Sequence, residues 1–192
     1  MTAASTSSPH RALRIGVIAE DQTDTDTLKI LLKRLRGSQT QVSVRQGGGG
    51  GEIFRKGERW MKDLARDACT ALVIVHDLDK DTEHSLRSRI EKIPVPARMQ
   101  RCVCIPAQEL EAWFWADAKV LQKVARKPIP ADASPEKRSD PKESLMRISR
   151  DGGSKPRYAT TENPRLAEDL DLELCAKHCP SFSQLRDFII SL

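Results

Sequence analysis

Ala71-Leu-Val-Ile-Val75 carries no polar side chain and breaks directly into His76-Asp77-Leu78-Asp79-Lys80-Asp81. A run this short and apolar on both faces fits a strand covered from above and below, as in the middle of a parallel α/β sheet. Its acidic end falls where such sheets bind ligands, outside the carboxyl ends of the strands.

The segments around this run repeat its logic. Arg14-Ile-Gly-Val-Ile-Ala19 reads as another buried strand, Gln41-Val-Ser-Val-Arg45 as a half-buried one and Arg101-Cys-Val-Cys-Ile105 as a fourth. Between them, residues 23–35, 53–68 and 83–92 space their apolar side chains as helices do, and a further helix is expected from about Gln108. The alternation implies right-handed crossovers and a four-stranded, mainly parallel sheet flanked by helices. With 39% hydrophobic residues in 192, the chain can bury a proper core. Three parts are expected: an N-terminal tail over residues 1–13, an α/β domain over 14–118, and a basic linker with a helical appendage over 119–192. Within the appendage, helices are expected over 142–149, from Asn163-Pro164, and from a Ser181 cap to Phe188-Ile-Ile190. The opening has no apolar signal region and no stretch approaches a membrane span, so a soluble, cytoplasmic protein is expected, without membrane partners.

Charge is uneven. Residues 119–157 hold eleven Lys and Arg against five Asp and Glu, a formal +6 in a chain whose total is +5. Such a segment suits a polyanion, because phosphate contacts release counterions; a solvated basic face is the alternative. Lys142, Arg147, Arg150 and Lys155 are the candidate nucleic-acid contacts. The five cysteines, Cys69, Cys102, Cys104, Cys175 and Cys179, lack the spacing of a disulfide framework and read as reduced thiols. Cys175-Ala-Lys-His178-Cys179 has no second half with which to complete a zinc site.

The chemistry lies at the strand ends, which are crowded with carboxylates. The first strand runs into Glu20-Asp21-Gln22-Thr23-Asp24, the third into Asp77-Leu78-Asp79, and the fourth into Pro106-Ala-Gln-Glu109-Leu-Glu111. Asp77 and Asp79, two apart, can point the same way. Massing like charges is unfavourable unless a cation sits among them. A hard divalent ion, Mg²⁺ or in its place Mn²⁺, meets that need while keeping water and phosphate oxygens in its shell. Glu20, Asp77 and Asp79 are the expected ligands. Glu109 is either a further ligand or a helix-start residue favoured by the dipole, and Asp21 and Asp24 read equally as part of the metal rim or as caps and turn residues. Trp113, Phe114 and Trp115 suit a helix packed on the sheet, or a platform for stacked bases.

Other motifs fail in detail. Asp77-Leu-Asp79-Lys-Asp81-Thr82 puts Thr one place too late for a haloacid-dehalogenase phosphatase, and Thr82 stands where a calcium loop requires Gly. No Gly-Lys-Ser/Thr follows Gly47–Gly51, so that run is not a phosphate loop.

Glu20 after the first strand and Asp77-Leu-Asp79 after the third, in this βαβα order, resemble the topoisomerase-primase (TOPRIM) domain. Adding Glu109-Leu-Glu111-Ala-Trp113-Phe-Trp-Ala-Asp117, Asp140-Pro-Lys-Glu143, Tyr158 and Pro180-Ser-Phe182, nearly the whole chain is similar to the bacterial family called domain of unknown function 4276. The usual pattern of that family has Gly after the first Glu and a second Glu where Asp24 stands. The TOPRIM resemblance implies that Glu20 serves as general acid or base and that Asp77 and Asp79 hold Mg²⁺ for phosphodiester cleavage or transfer. The family resemblance implies an anti-phage defence or mobile-element setting beside an ABC- or AAA-type ATPase. Together these lead to the expectation of a Mg²⁺-dependent nuclease on DNA or RNA. Its catalytic residues are Glu20, Asp77, Asp79 and Lys142, the last with Lys155 as an alternative phosphate clamp. A non-catalytic subunit of the ATPase is the rival.

Overall fold

The computed structural model of the protein describes residues 13–49, 51–78, 81–150, 152 and 155–192. The expected tail, apart from Leu13, lies outside the described residues, and so does Asp79. Four strands, β1 (Arg14–Ala19), β2 (Gln41–Gln46), β3 (Ala71–Val75) and β4 (Gln100–Cys104), alternate with α1 (Gln22–Arg36), α2 (Glu52–Arg66) and α3 (Glu83–Glu91). The sheet order is β2-β1-β3-β4 and every pairing among these strands is parallel. This is the α/β architecture expected from the sequence, and it is consistent with a TOPRIM-like fold.

Strand alternation divides the core into two layers. Ile15, Val17, Ala19, Val73, Val75, Cys102 and Cys104 face one side, where Leu28, Leu31 and Leu32 of α1 and the C-terminal helices cover them. Ile18, Leu72, Ile74 and Val103 face the other, against Met61 and Leu64 of α2 and Leu86 and Ile90 of α3. A Cβ on Gly16 would stand 2.9 Å from Leu64 Cδ1, so the bare glycine lets α2 lie close on β1.

Beyond β4 the chain departs from the expected helix at Gln108. Gln108 turns through a left-handed conformation (φ 68°). Leu110–Ala116 then forms a 3-10 helix, followed by α4 (Ala118–Ala125), whose start Asp117 caps by accepting the Lys119 N–H at 2.8 Å. Next come α5 (Pro141–Ile148), α6 (Asn163–Asp169), α7 (Leu172–His178) and α8 (Pro180–Ser191). Ser181 is not the cap of α8; Pro180 opens it, and Glu136 accepts the Ser181 backbone N–H at 3.3 Å. The C-terminal helices share the core of the sheet. Arg34 of α1 donates to the Ala167 and Leu170 carbonyls at the end of α6, each at 2.7 Å. Trp113 meets Phe182 edge to face with centroids 5.2 Å apart, and its indole N–H reaches Ser181 Oγ at 2.9 Å.

Candidate active site

With the order β2-β1-β3-β4, the chain first steps from β1 to one side and then returns to the other, so the switch point lies between β1 and β3. The carboxyl ends of these two strands carry Glu20 and Asp77. Glu20 Oε1 accepts the Asp77 backbone N–H at 3.1 Å and lies 3.2 Å from Nδ1 of the buried His76. The same Nδ1 lies 2.8 Å from the Asp77 carbonyl. Both neighbours are acceptors, so this nitrogen is the one placed to donate.

Further carboxylates gather around this pair. Asp21 caps α1 by accepting the Asp24 N–H at 3.0 Å, which leaves Asp24 in the first turn, directly beyond the end of β1. Removal from water, then the charges of Asp21, Glu111 and Glu20, push Asp24 from its ordinary 3.8 up to about 7. Asp77 rises well above the usual carboxylate range, first through removal from water and then through Asp24, Glu20, Glu111 and Glu109. Glu109 also rises, through removal from water and the neighbouring Glu111, although the Lys142 N–H (3.2 Å from Oε2) and the Lys142 charge pull against the shift. Glu111 is buried on the 3-10 helix and accepts from Asn163 Nδ2 at 3.0 Å, and Asn163 Oδ1 accepts from the Tyr158 hydroxyl at 2.5 Å.

The fold thus brings Glu20, Asp77 and Glu109 to one rim, with the backbone of Lys142 at its edge. It adds two residues that sequence reasoning does not assign. Asp24 reads equally as a cap, and the signal for it is the family's second Glu at that position; Glu111 has no role assigned by sequence. Arg147 pairs with Asp140 at 3.3 Å, while Arg150 and Lys155 are exposed; among the described residues no contact joins these three to the rim. Trp113, Phe114 and Trp115 are fully or almost fully buried and so belong to the core, offering no face for a base. All five cysteines are buried and free.

Among the described residues no three His, Cys, Asp or Glu side chains form a ready-made metal cage. The donor set nonetheless suits a hard cation. It is made of carboxylate oxygens whose repulsion a positive charge would relieve, and Mg²⁺ commonly takes only one or two protein carboxylates, filling its remaining positions with water and phosphate. No helix among the described residues is long and apolar enough to cross a membrane.

No curated protein and no solved structure matches the chain. The family described as domain of unknown function (DUF4276) matches residues 19–190, nearly its full length, and the protein belongs to that family.

Proposed function

We propose that this protein is a divalent-metal-dependent nuclease whose phosphodiester chemistry occurs at the β1–β3 switch point. The observation that carries this reading is the massing of Glu20, Asp24, Asp77, Glu109 and Glu111 on one rim, with Asp24, Asp77 and Glu109 held above their ordinary pKa. Asp77 and Glu20, joined by Asp79 two residues further along the sequence and by Glu109, would hold Mg²⁺ or Mn²⁺. Bound there, the ion would polarise a phosphoryl oxygen and lower the pKa of its water.

The protein's own groups divide the remaining work. The hydrogen bond from the Asp77 N–H, with the His76 ring 3.2 Å away, orients Glu20 so that its carboxylate can hold or pass a proton at the strand end. Without metal, burial and its acidic neighbours raise Asp24 to about 7, and the proton it then holds is one that a bound cation would displace. Lys142 brings a positive charge to the Glu109 edge, where phosphate charge would need balancing. Arg147, Arg150 and Lys155 extend the basic surface along the path of the bound nucleic acid. The family resemblance adds an ABC- or AAA-type ATPase partner and a role in anti-phage defence or on mobile elements.

Plasmid, single-stranded DNA and RNA, each incubated with wild type or Asp77→Asn in Mg²⁺, Mn²⁺ or EDTA, test the activity, with a neighbouring-gene ATPase supplied in parallel arms. Metal-dependent cleavage by wild type and its loss in Asp77→Asn are expected. Intact substrates in every wild-type arm would overturn the reading.

A further inference from the structure

A cleft of about 410 Å³ opens between α4 and α6, apart from the acidic rim. That volume falls within the roughly 300–1,000 Å³ of small-ligand sites. Its lining carries four cations, Lys123, Arg126, Arg157 and Arg165, against Glu162 and Asp169, a formal +2. Lys123 spans the two walls to Asp169 at 2.6 Å, and Arg165 stands 3.7 Å from Glu162. Val124 and Leu166 add an apolar patch.

Arg126 is the informative residue. It ends α4 in the left-handed conformation, φ 56°, with its N–H on the Gln122 carbonyl at 2.7 Å. Helices stop this way on Gly or Asn, which bear that backbone cheaply. An arginine there carries backbone strain that the helix stop does not require, and its guanidinium makes no hydrogen bond or ion pair among the described residues. Arg157 Nη2 reaches the Ala125 carbonyl at 3.4 Å, which brings a second guanidinium to the same helix end. Tyr158, at the floor, begins the hydrogen-bonded chain through Asn163 to Glu111, so the cleft backs onto the rim.

We propose that this cleft is a binding site for a nucleoside phosphate, either free or within a nucleic-acid strand, whose phosphate is gripped by Arg126 with Arg165 at the mouth, Arg157 adding positive charge at the same helix end. The forked donors of two arginines match phosphate oxygens, and Val124 and Leu166 take the less polar part of the ligand. The site does not depend on cleavage at the rim.

The test uses the full chain with two probes, AMP followed by calorimetry and a fluorescein-labelled oligothymidylate followed by anisotropy. Wild type should bind at least one of them, more weakly as salt is raised. The double variant Arg126→Asn, Arg165→Gln should lose roughly tenfold or more in affinity, as expected when charged hydrogen bonds are removed. Arg126→Lys, which keeps the charge, should lose less. Arg165→Glu, an exposed single change, provides a second reading should the double variant melt early, and it too should bind more weakly. Preference for AMP identifies a free nucleotide, and preference for the oligonucleotide identifies a strand. No binding of either probe by wild type, or equal affinity in wild type and Arg165→Glu, overturns the proposal. Either failure leaves the nuclease reading standing, since that is read from EDTA-sensitive cleavage.

Discussion

The Asp77 backbone N–H donates to Glu20 Oε1 across 3.1 Å and ties the ends of β3 and β1 together at the point where the sheet reverses its winding. The bond is from main chain to side chain, so it holds Glu20 in place while leaving the Asp77 carboxylate free to face Asp24 and Glu109. Asp77 can therefore be neutralised without breaking the link.

That separation has a consequence for stability. Asp77→Asn removes an ionisable carboxyl from a crowded rim while keeping the bond to Glu20, so in EDTA the variant should melt at the same temperature as wild type or slightly higher. With Mg²⁺ in hundredfold excess over its dissociation constant, wild type should gain about 2.7 kcal/mol and the variant much less. Calorimetric melting with metal and with EDTA reads both effects. Equal metal-induced shifts in the two proteins would remove Asp77 from the proposed metal site.

Asp24 sets a pH dependence of definite sign. Its folded value of about 7 exceeds the ordinary 3.8, so across that window the folded protein keeps a proton that the unfolded chain has released. Its contribution to stability therefore falls as pH rises from about 4 to about 7, by up to roughly 1.4 kcal/mol per unit of separation. Asp24→Asn should flatten this part of the profile in metal-free buffer. Denaturant melts of both proteins across the window check it, and parallel profiles would show that Asp24 titrates normally.

Asn163 is fully buried between Tyr158 and Glu111. Asn163→Ala leaves a buried phenol and a buried carboxylate each short of a partner, at a cost of about 1–3 kcal/mol per stranded group. A loss of that order in urea unfolding is expected. A change within a few tenths of a kcal/mol would mean that water replaces the amide.

The basic segment can be tested separately from the rim. Neutralising Lys142, Arg147, Arg150 and Lys155 together should weaken duplex binding and lower the slope of log K against log salt by roughly 0.9 for each phosphate no longer neutralised. An unchanged slope would make these residues a solvated face or a protein contact.

Much of the scaffold is readable along the chain because its signals are local. A continuous apolar run such as Ala71–Val75 and the 3.6-residue spacing within Gln22–Arg36 depend on few neighbours, and the acidic strand ends follow from where the runs stop. Glu20, Asp77 and Glu109 are legible in that way. What lies around them is not. As the third residue beyond its cap, Asp24 looks the same in sequence whether it serves the helix or the rim; only the direction in which α1 leaves β1 sets it beside Glu111. Glu111 depends on a 3-10 helix in place of an α-helix and on Asn163, 52 residues later. The aromatic run Trp113–Trp115 suits either a base platform or a core, and the choice falls to Phe182 and Pro141, which arrive from the far end of the chain and its middle to fill and hydrogen-bond it. Periodicity and strand ends come from neighbours in sequence. Strand order, burial of a charge and the company it keeps come from long-range packing, which no local pattern encodes.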